Sequence, residues 1–189
     1  MLEETPMNKQ FFCAAAFLWV GGTCHAQASI TIYGLLDTAV EHINHVGATG
    51  SGLTRIPSNA GNIPSRLGFR GREDLGGGIS AQFVLEMGIA PDSGVLNQGG
   101  RGFGRQSFVG LNGPWGQVGL GRQYTMLFWS MHDADVIGPG MHSIANFDSY
   151  FPNARADNAI SYKGTFSGLT VGMTYSFGRD TVNAGPDRK

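Results

Sequence analysis

Hydrophobic and polar positions alternate along this chain with a period of two. In "LTVGMTYSF" Leu169, Val171, Met173, Tyr175 and Phe177 fall on one side of an extended backbone, and Thr170, Gly172, Thr174 and Ser176 on the other. In "ISAQFVLEMGIA" Ile79, Ala81, Phe83, Leu85, Met87 and Ile89 oppose Ser80, Gln82, Val84, Glu86, Gly88 and Ala90. Side chains alternate across a strand, so both segments predict strands with one apolar face and one polar or small face. The same pattern predicts strands near 29–45, 64–73, 78–90, 103–112, 117–124, 155–165 and 169–178. No stretch sustains a 3.6-residue period, and past the N-terminal segment none approaches the roughly 20 apolar residues of a membrane helix.

Short glycine-bearing connections, "EDLGGG" at 73–78, "NGPWG" at 112–116 and "FSG" at 166–168, suit antiparallel hairpins. The connections at 46–63, 91–102 and 125–154 are long. Alternation of short and long sends all the long loops to one end of the sheet. Glu73 and Asp74 read as turn residues. "NQGGRGFGR" (Asn97 to Arg105) invites a phosphate-loop reading, but no Lys-Ser/Thr and no helical pattern follow it, so it predicts a flexible loop.

Two all-β architectures fit such strands. A soluble sandwich buries its apolar faces between two sheets, whereas a membrane barrel turns them to lipid and keeps the polar face for a wet interior. In "PSRLGFRGREDLGGG" Arg66, Arg70 and Arg72 share one face while Leu67, Phe69 and Gly71 share the other. Glu86, Arg105, Asp157 and Lys163 also fall on polar faces. Charges on the outer face of a sandwich are ordinary, so these arginines are equally readable as a solvated strand surface. Strand length favours the barrel, because membrane strands need ~9–11 residues.

The opening "MLEETPMNKQFFCAAAFLWVGGTCHAQA" has the layout of a secretory signal peptide, with Lys9, an apolar run from Phe11 to Val20, and small residues before Ala26. Cleavage after Ala26 is favoured over Ala28, giving a 1–26 signal and a 27–189 mature domain. The acidic "LEETP" suits a signal peptide poorly, which makes Met7 the better start residue. "GGTC" is a poor lipid-anchor site at Cys24. Removal of 1–26 takes both cysteines, Cys13 and Cys24, so the mature chain forms no disulfide. It also takes Lys9 from the 13 bases and Glu3 and Glu4 from the 14 acids, leaving 12 of each. That balance argues against a nucleic-acid partner, which calls for a basic surplus. Any charge-based function comes from local segregation.

His42, His45, His132 and His142 lack metal-ligand spacing on a common element, and no nucleophile-elbow pattern surrounds a serine. The sequence therefore predicts neither an enzyme nor a cofactor or metal site. Trp115, Tyr124, Phe128, Trp129, Tyr150 and Phe151 gather near strand ends and loop starts, where aromatic residues form an interfacial girdle or pack a loop.

At "SITIYGLLDTAV", "SRLGFRGREDLGGG", "FGRQSFVGLNGPWGQVGLGRQYT" and "NARADNAISYKGTFSGLTVGMTYSFG" the chain resembles the Gram-negative general porins, especially their beta-proteobacterial branch. The likeness runs collinearly from about Ser29 to Pro186. It implies an antiparallel transmembrane β-barrel of about 16 strands, of which this chain supplies about the first seven. It further implies a homotrimer in outer-membrane lipid that passes small hydrophilic solutes and ions by passive diffusion. Periplasmic chaperones and the barrel-assembly machinery are the partners implied during biogenesis.

The resemblance also assigns roles. The loop of about 125–153, carrying Asp133, Asp135 and Asp148, would fold inward and narrow the pore. Arg66, Arg105 and Arg155, with Arg122, would form the facing basic wall, and Arg70, Arg72, Asp37 and Glu86 would line the vestibules. Opposed acidic and basic surfaces set a transverse field across a narrow aqueous gap, which aligns polar solutes. Leu35 stands where some relatives carry a lysine, with Asp37 two residues on, which lowers the local positive charge. Seven strands cannot close a barrel, so the expectation is the N-terminal part of a porin, from a truncated gene or a partial sequence. The competing expectations are a secreted β-sandwich binding or adhesion module and a fragment with no activity.

Overall fold

The computed structural model describes residues 29–58, 62–136 and 154–178. Seven strands form one antiparallel sheet: β1 (Ser29–Leu35), β4 (Arg66–Gly76), β5 (Ile79–Gly88), β6 (Gln106–Gly113), β7 (Gly116–Tyr124), β8 (Arg155–Phe166) and β9 (Leu169–Ser176). They lie in that order, with β1 and β9 at the two open edges. A separate hairpin pairs β2 (Glu41–Val46) with β3 (Ser51–Arg55).

The first predicted strand, 29–45, is therefore two. β1 ends at Leu35, because the chain bends at Asp37 to bond the segment before β4. The Asp37 carboxylate accepts the backbone N–H groups of Asn62 and Ile63, and the Ser65 hydroxyl donates to the Asp37 carbonyl. The predicted loop 46–63 contains β3. β4 runs on through Glu73 and Asp74, which the pattern assigns to a turn; the reversal comes at Gly76, Gly77 and Gly78, all with positive φ. At the β8–β9 turn Ser167 and Gly168 both have positive φ, as a two-residue hairpin of primed type requires.

Among the described residues, two short helical pieces also depart from the expected all-strand pattern. α1 (Asn97–Gly100) is a single turn with left-handed Gln98 and Gly99 inside it. α2 (Met126–Ala134) starts directly after β7, where the Thr125 hydroxyl caps it by accepting from Phe128 N. Nine residues are too few to show a helical period against a background of strands.

The sheet is inverted relative to a soluble domain. Among the described residues the buried apolar side chains are Ala90, Tyr124 and Ala159, whereas Ser65, Ser80, Glu86, Arg105, Gln123 and Ser161 are buried polar ones. Ile30, Ile32, Val109 and Met173, on one face of three strands, stand 57–67% exposed. Register carries that face across the sheet: Ile32 opposes Phe69, Phe69 opposes Leu85, Leu111 opposes Val118, and Ile160 opposes Tyr175. The other face carries α2. Met126 N donates to the Thr174 hydroxyl, and Met126 covers Gly172, where a Cβ would sit 2.8 Å from its sulfur.

Candidate functional site: the inner face of the sheet

Register sets the inner-face residues side by side: Tyr33 opposes Gly68, and Gly68 opposes Glu86. Tyr33 Oη crosses the bare glycine and donates to Glu86 Oε2 at 2.9 Å. Glu86 Oε1 accepts from Arg105 Nε at 2.7 Å, a pair in which both residues are 3% exposed. Arg105 Nη2 then donates to Tyr124 Oη at 2.8 Å, and Arg155 Nη2 donates to the same oxygen at 2.6 Å. Five side chains from β1, β5, β7, β8 and the residue before β6 thus form one continuous polar chain.

The predicted wall residues have separate fates. Arg66 is half-buried and, among the described residues, has no ion pair. Arg70 is exposed, with its Cζ 5.3 Å from the centre of the Tyr33 ring, and Arg72 is exposed towards the glycine turn. Arg105 is neutralised by Glu86, so Glu86 is a buried partner and not a vestibule carboxylate. Arg155 is half-buried, its Cζ 4.4 Å above the Tyr124 ring.

Arg122 departs from the expected wall. The register slips between Gly121–Ala159 and Gln123–Ala156, with left-handed Asn158 in the extra length. The slip leaves Asp157 on the side of Arg122, away from Gln123, and breaks its predicted alignment with Lys163. Asp157 accepts from both Arg122 and Arg101, the latter at 3.1 Å, while Arg122 Nε donates to the Gly104 carbonyl. These contacts tie the long β5–β6 connection to the wall.

Asp37 is an anchor, its carboxylate held by two N–H groups. Those bonds, Ile63 before Asn62, favour the ionised form and lower its pKa from the ordinary aspartate value. Asp133 is exposed on α2, beside His132 Nδ1 at 3.3 Å, and Asp135 closes the helix, its N–H donating to His132 O. Asp148, His142, Tyr150, Phe151, the rest of the predicted constriction loop beyond 136 and the predicted signal segment lie outside the described residues.

Among the described residues, two cavities lie between α2 and the inner face. One of about 770 Å³ brings Asp133 and Trp129 of α2 opposite Lys163 and Thr174. One of about 260 Å³ is lined by Gln82, Gln106, Gln117, Gln123, Phe108 and Lys163 among others. Lys163 Nζ lies 5.5 Å from the Trp129 ring centre. Tyr33 and Tyr124 are site residues that the charge pattern does not single out, because neither is charged, and Lys163, which it places on a polar face, joins them. Their register with Gly68, Arg155 and Gln117 is the missing information.

A sheet with lipid-soluble side chains outside, an arginine-rich inner face and a helix folded against that face is part of the wall of an outer-membrane β-barrel. Residues 13–189 match the family described as Gram-negative porin. The outer membrane porin protein 32 of Delftia acidovorans is 38% identical over 89% of this chain and 50% of its own length. An outer membrane porin protein of Bordetella pertussis is 33% identical over 94% of this chain and 50% of its own. Among solved structures, the anion-selective porin from Comamonas acidovorans matches with a TM-score of 0.65 and 35% identity, over 80% of this chain and 47% of that one. The chain belongs to the Gram-negative porin family, whose place is the cell outer membrane, and it spans about half the length of the curated relatives it matches.

Proposed function

We propose that residues 27–189 form the N-terminal part of a water-filled porin through which small hydrophilic solutes and ions diffuse passively, without enzymatic chemistry. One observation carries this reading: the apolar face is exposed, whereas the opposite face gathers the charged side chains and carries α2 against its β8–β9 end. In hydrocarbon that arrangement is favourable on both sides, because the outer side chains need no water and the inner ones keep it. A soluble adhesion module would bury the Ile30 and Met173 face between two sheets, and the described residues leave it open.

The proposal extends to the homotrimer, the signal segment 1–26, Arg66 and Arg155 on a basic wall with Arg70 and Arg72 beside it, and Asp133 and Asp135 on the loop opposite. Buried pairing with Glu86 removes Arg105 from the charges a solute meets. The outer-membrane assembly machinery and periplasmic chaperones would act during folding. Seven strands alone leave two edges whose unpaired backbone groups cost several kcal/mol each in hydrocarbon, so conduction belongs to a closed barrel that includes this segment.

The test is a planar bilayer under a salt gradient, with a porin that contains these 189 residues as its N-terminal half. Arg66→Gln shifts the reversal potential towards cations. Replacing Glu86 by Gln and Arg105 by Met together leaves it nearly unchanged. An unshifted Arg66→Gln variant removes Arg66 from the wall, and a porin that inserts but does not conduct removes the channel.

A further inference from the structure

Tyr124 stands where the wall strand becomes the loop helix. It is the last residue of β7; Thr125 caps α2, and Thr125 N donates to the Ala154 carbonyl at 3.0 Å, just before β8. The Tyr124 ring stacks on Phe128 at 4.5 Å with an 18° interplanar angle and meets Trp129 edge-on at 5.4 Å. Its hydroxyl oxygen accepts from Arg105 and from Arg155, and its ring face carries the Arg155 guanidinium. A side chain 8% exposed therefore touches the helix with its ring and two cations with its oxygen.

From this geometry we infer that Tyr124 is a positioning residue for ion selectivity: it holds the Arg155 guanidinium in register with α2. The inference rests on the channel reading above. Two guanidiniums converging on one oxygen repel each other, and among the described residues only Arg105 of the two has a carboxylate to balance it. Arg155 keeps its place through the phenolic oxygen and the ring face. Without the oxygen, repulsion from Arg105 turns Arg155 away from α2, and the field between wall and helix changes although no charge has been lost.

The experiment is a double-mutant cycle on reversal potential and open-channel noise in the same bilayer assay. Tyr124→Phe keeps the ring stacked on Phe128 and Trp129 and removes only the acceptor. Arg155→Gln shifts the wild-type reversal potential, and in the Tyr124→Phe background that shift falls to less than half, with increased noise. Equal shifts in the two backgrounds overturn the inference while the channel reading stands; no conductance from the unmutated porin overturns both. Arg155→Lys tests the same point without touching Tyr124. It keeps the charge but not the planar fork, so a positioning role predicts at least half the Arg155→Gln shift and a purely electrostatic role predicts none.

Discussion

Tyr33 and Glu86 meet at 2.9 Å although a whole strand lies between them. Gly68 makes this possible, because a Cβ there would sit 2.5 Å from the Tyr33 ring. The glycine is needed for the space above it and not for its backbone freedom. Gly68→Val therefore displaces Tyr33 and takes a donor from a buried carboxylate. The expected loss is about 1–3 kcal/mol, with Tyr33→Phe giving the smaller share, measured by urea unfolding of the detergent-folded porin. Wild-type stability in Gly68→Val would show that the tyrosine is not held there.

Glu86 and Arg105 are buried together, so neither is tolerated alone. Glu86→Gln leaves an unpaired guanidinium and should cost about 3–5 kcal/mol, whereas Glu86→Gln with Arg105→Met restores much of that loss. The check is the same unfolding series; additive losses in the double variant would contradict the pairing.

The Asp37 bonds give a pH dependence of defined sign. Its folded pKa lies below the unfolded value of about 3.9, so its stabilisation is fully present above that value and fades as pH falls through the folded one. Asp37→Asn removes this dependence. Trypsin cleavage at Arg55, just before the anchored segment, reads it out: after acid exposure and rapid assay the wild type becomes more susceptible, and Asp37→Asn is susceptible throughout.

Thr125 supplies the side-chain cap of α2, bonding Phe128 N at 3.1 Å. Thr125→Val keeps the shape and deletes the acceptor, weakening the helix start by about 1 kcal/mol. The expected readout is increased open-channel noise with unchanged reversal potential. A quiet channel would place the anchoring of α2 elsewhere, at Met126 over Gly172.

Much of the wall is readable in the linear pattern. Leu169, Val171, Met173 and Tyr175 show their common face by spacing alone, since strand geometry sends every second side chain the same way. Local pattern misleads where long-range bonds intervene. Asp37 ends β1 by bonding residues 62 and 63, and Asn158 turns Asp157 from the side of Lys163 to that of Arg122. α2 escapes notice because nine residues are too few to show a period and its anchoring contacts, with Tyr124, Thr174 and Gly172, come from strands β7 and β9.

Sequence alone determined most of the strand positions, the two-faced strands and the supply of arginines, because period, turn chemistry and charge are local properties. Tertiary structure alone decided which arginines remain available. Arg105 and Arg66 look alike in "GRQSF" and "SRLGF", yet one is cancelled by Glu86 and the other has no ion-pair partner among the described residues. The reason is register: hydrogen bonding between strands places Glu86 within reach of Arg105, and the energy of a charge depends on what lies a few ångströms away in space.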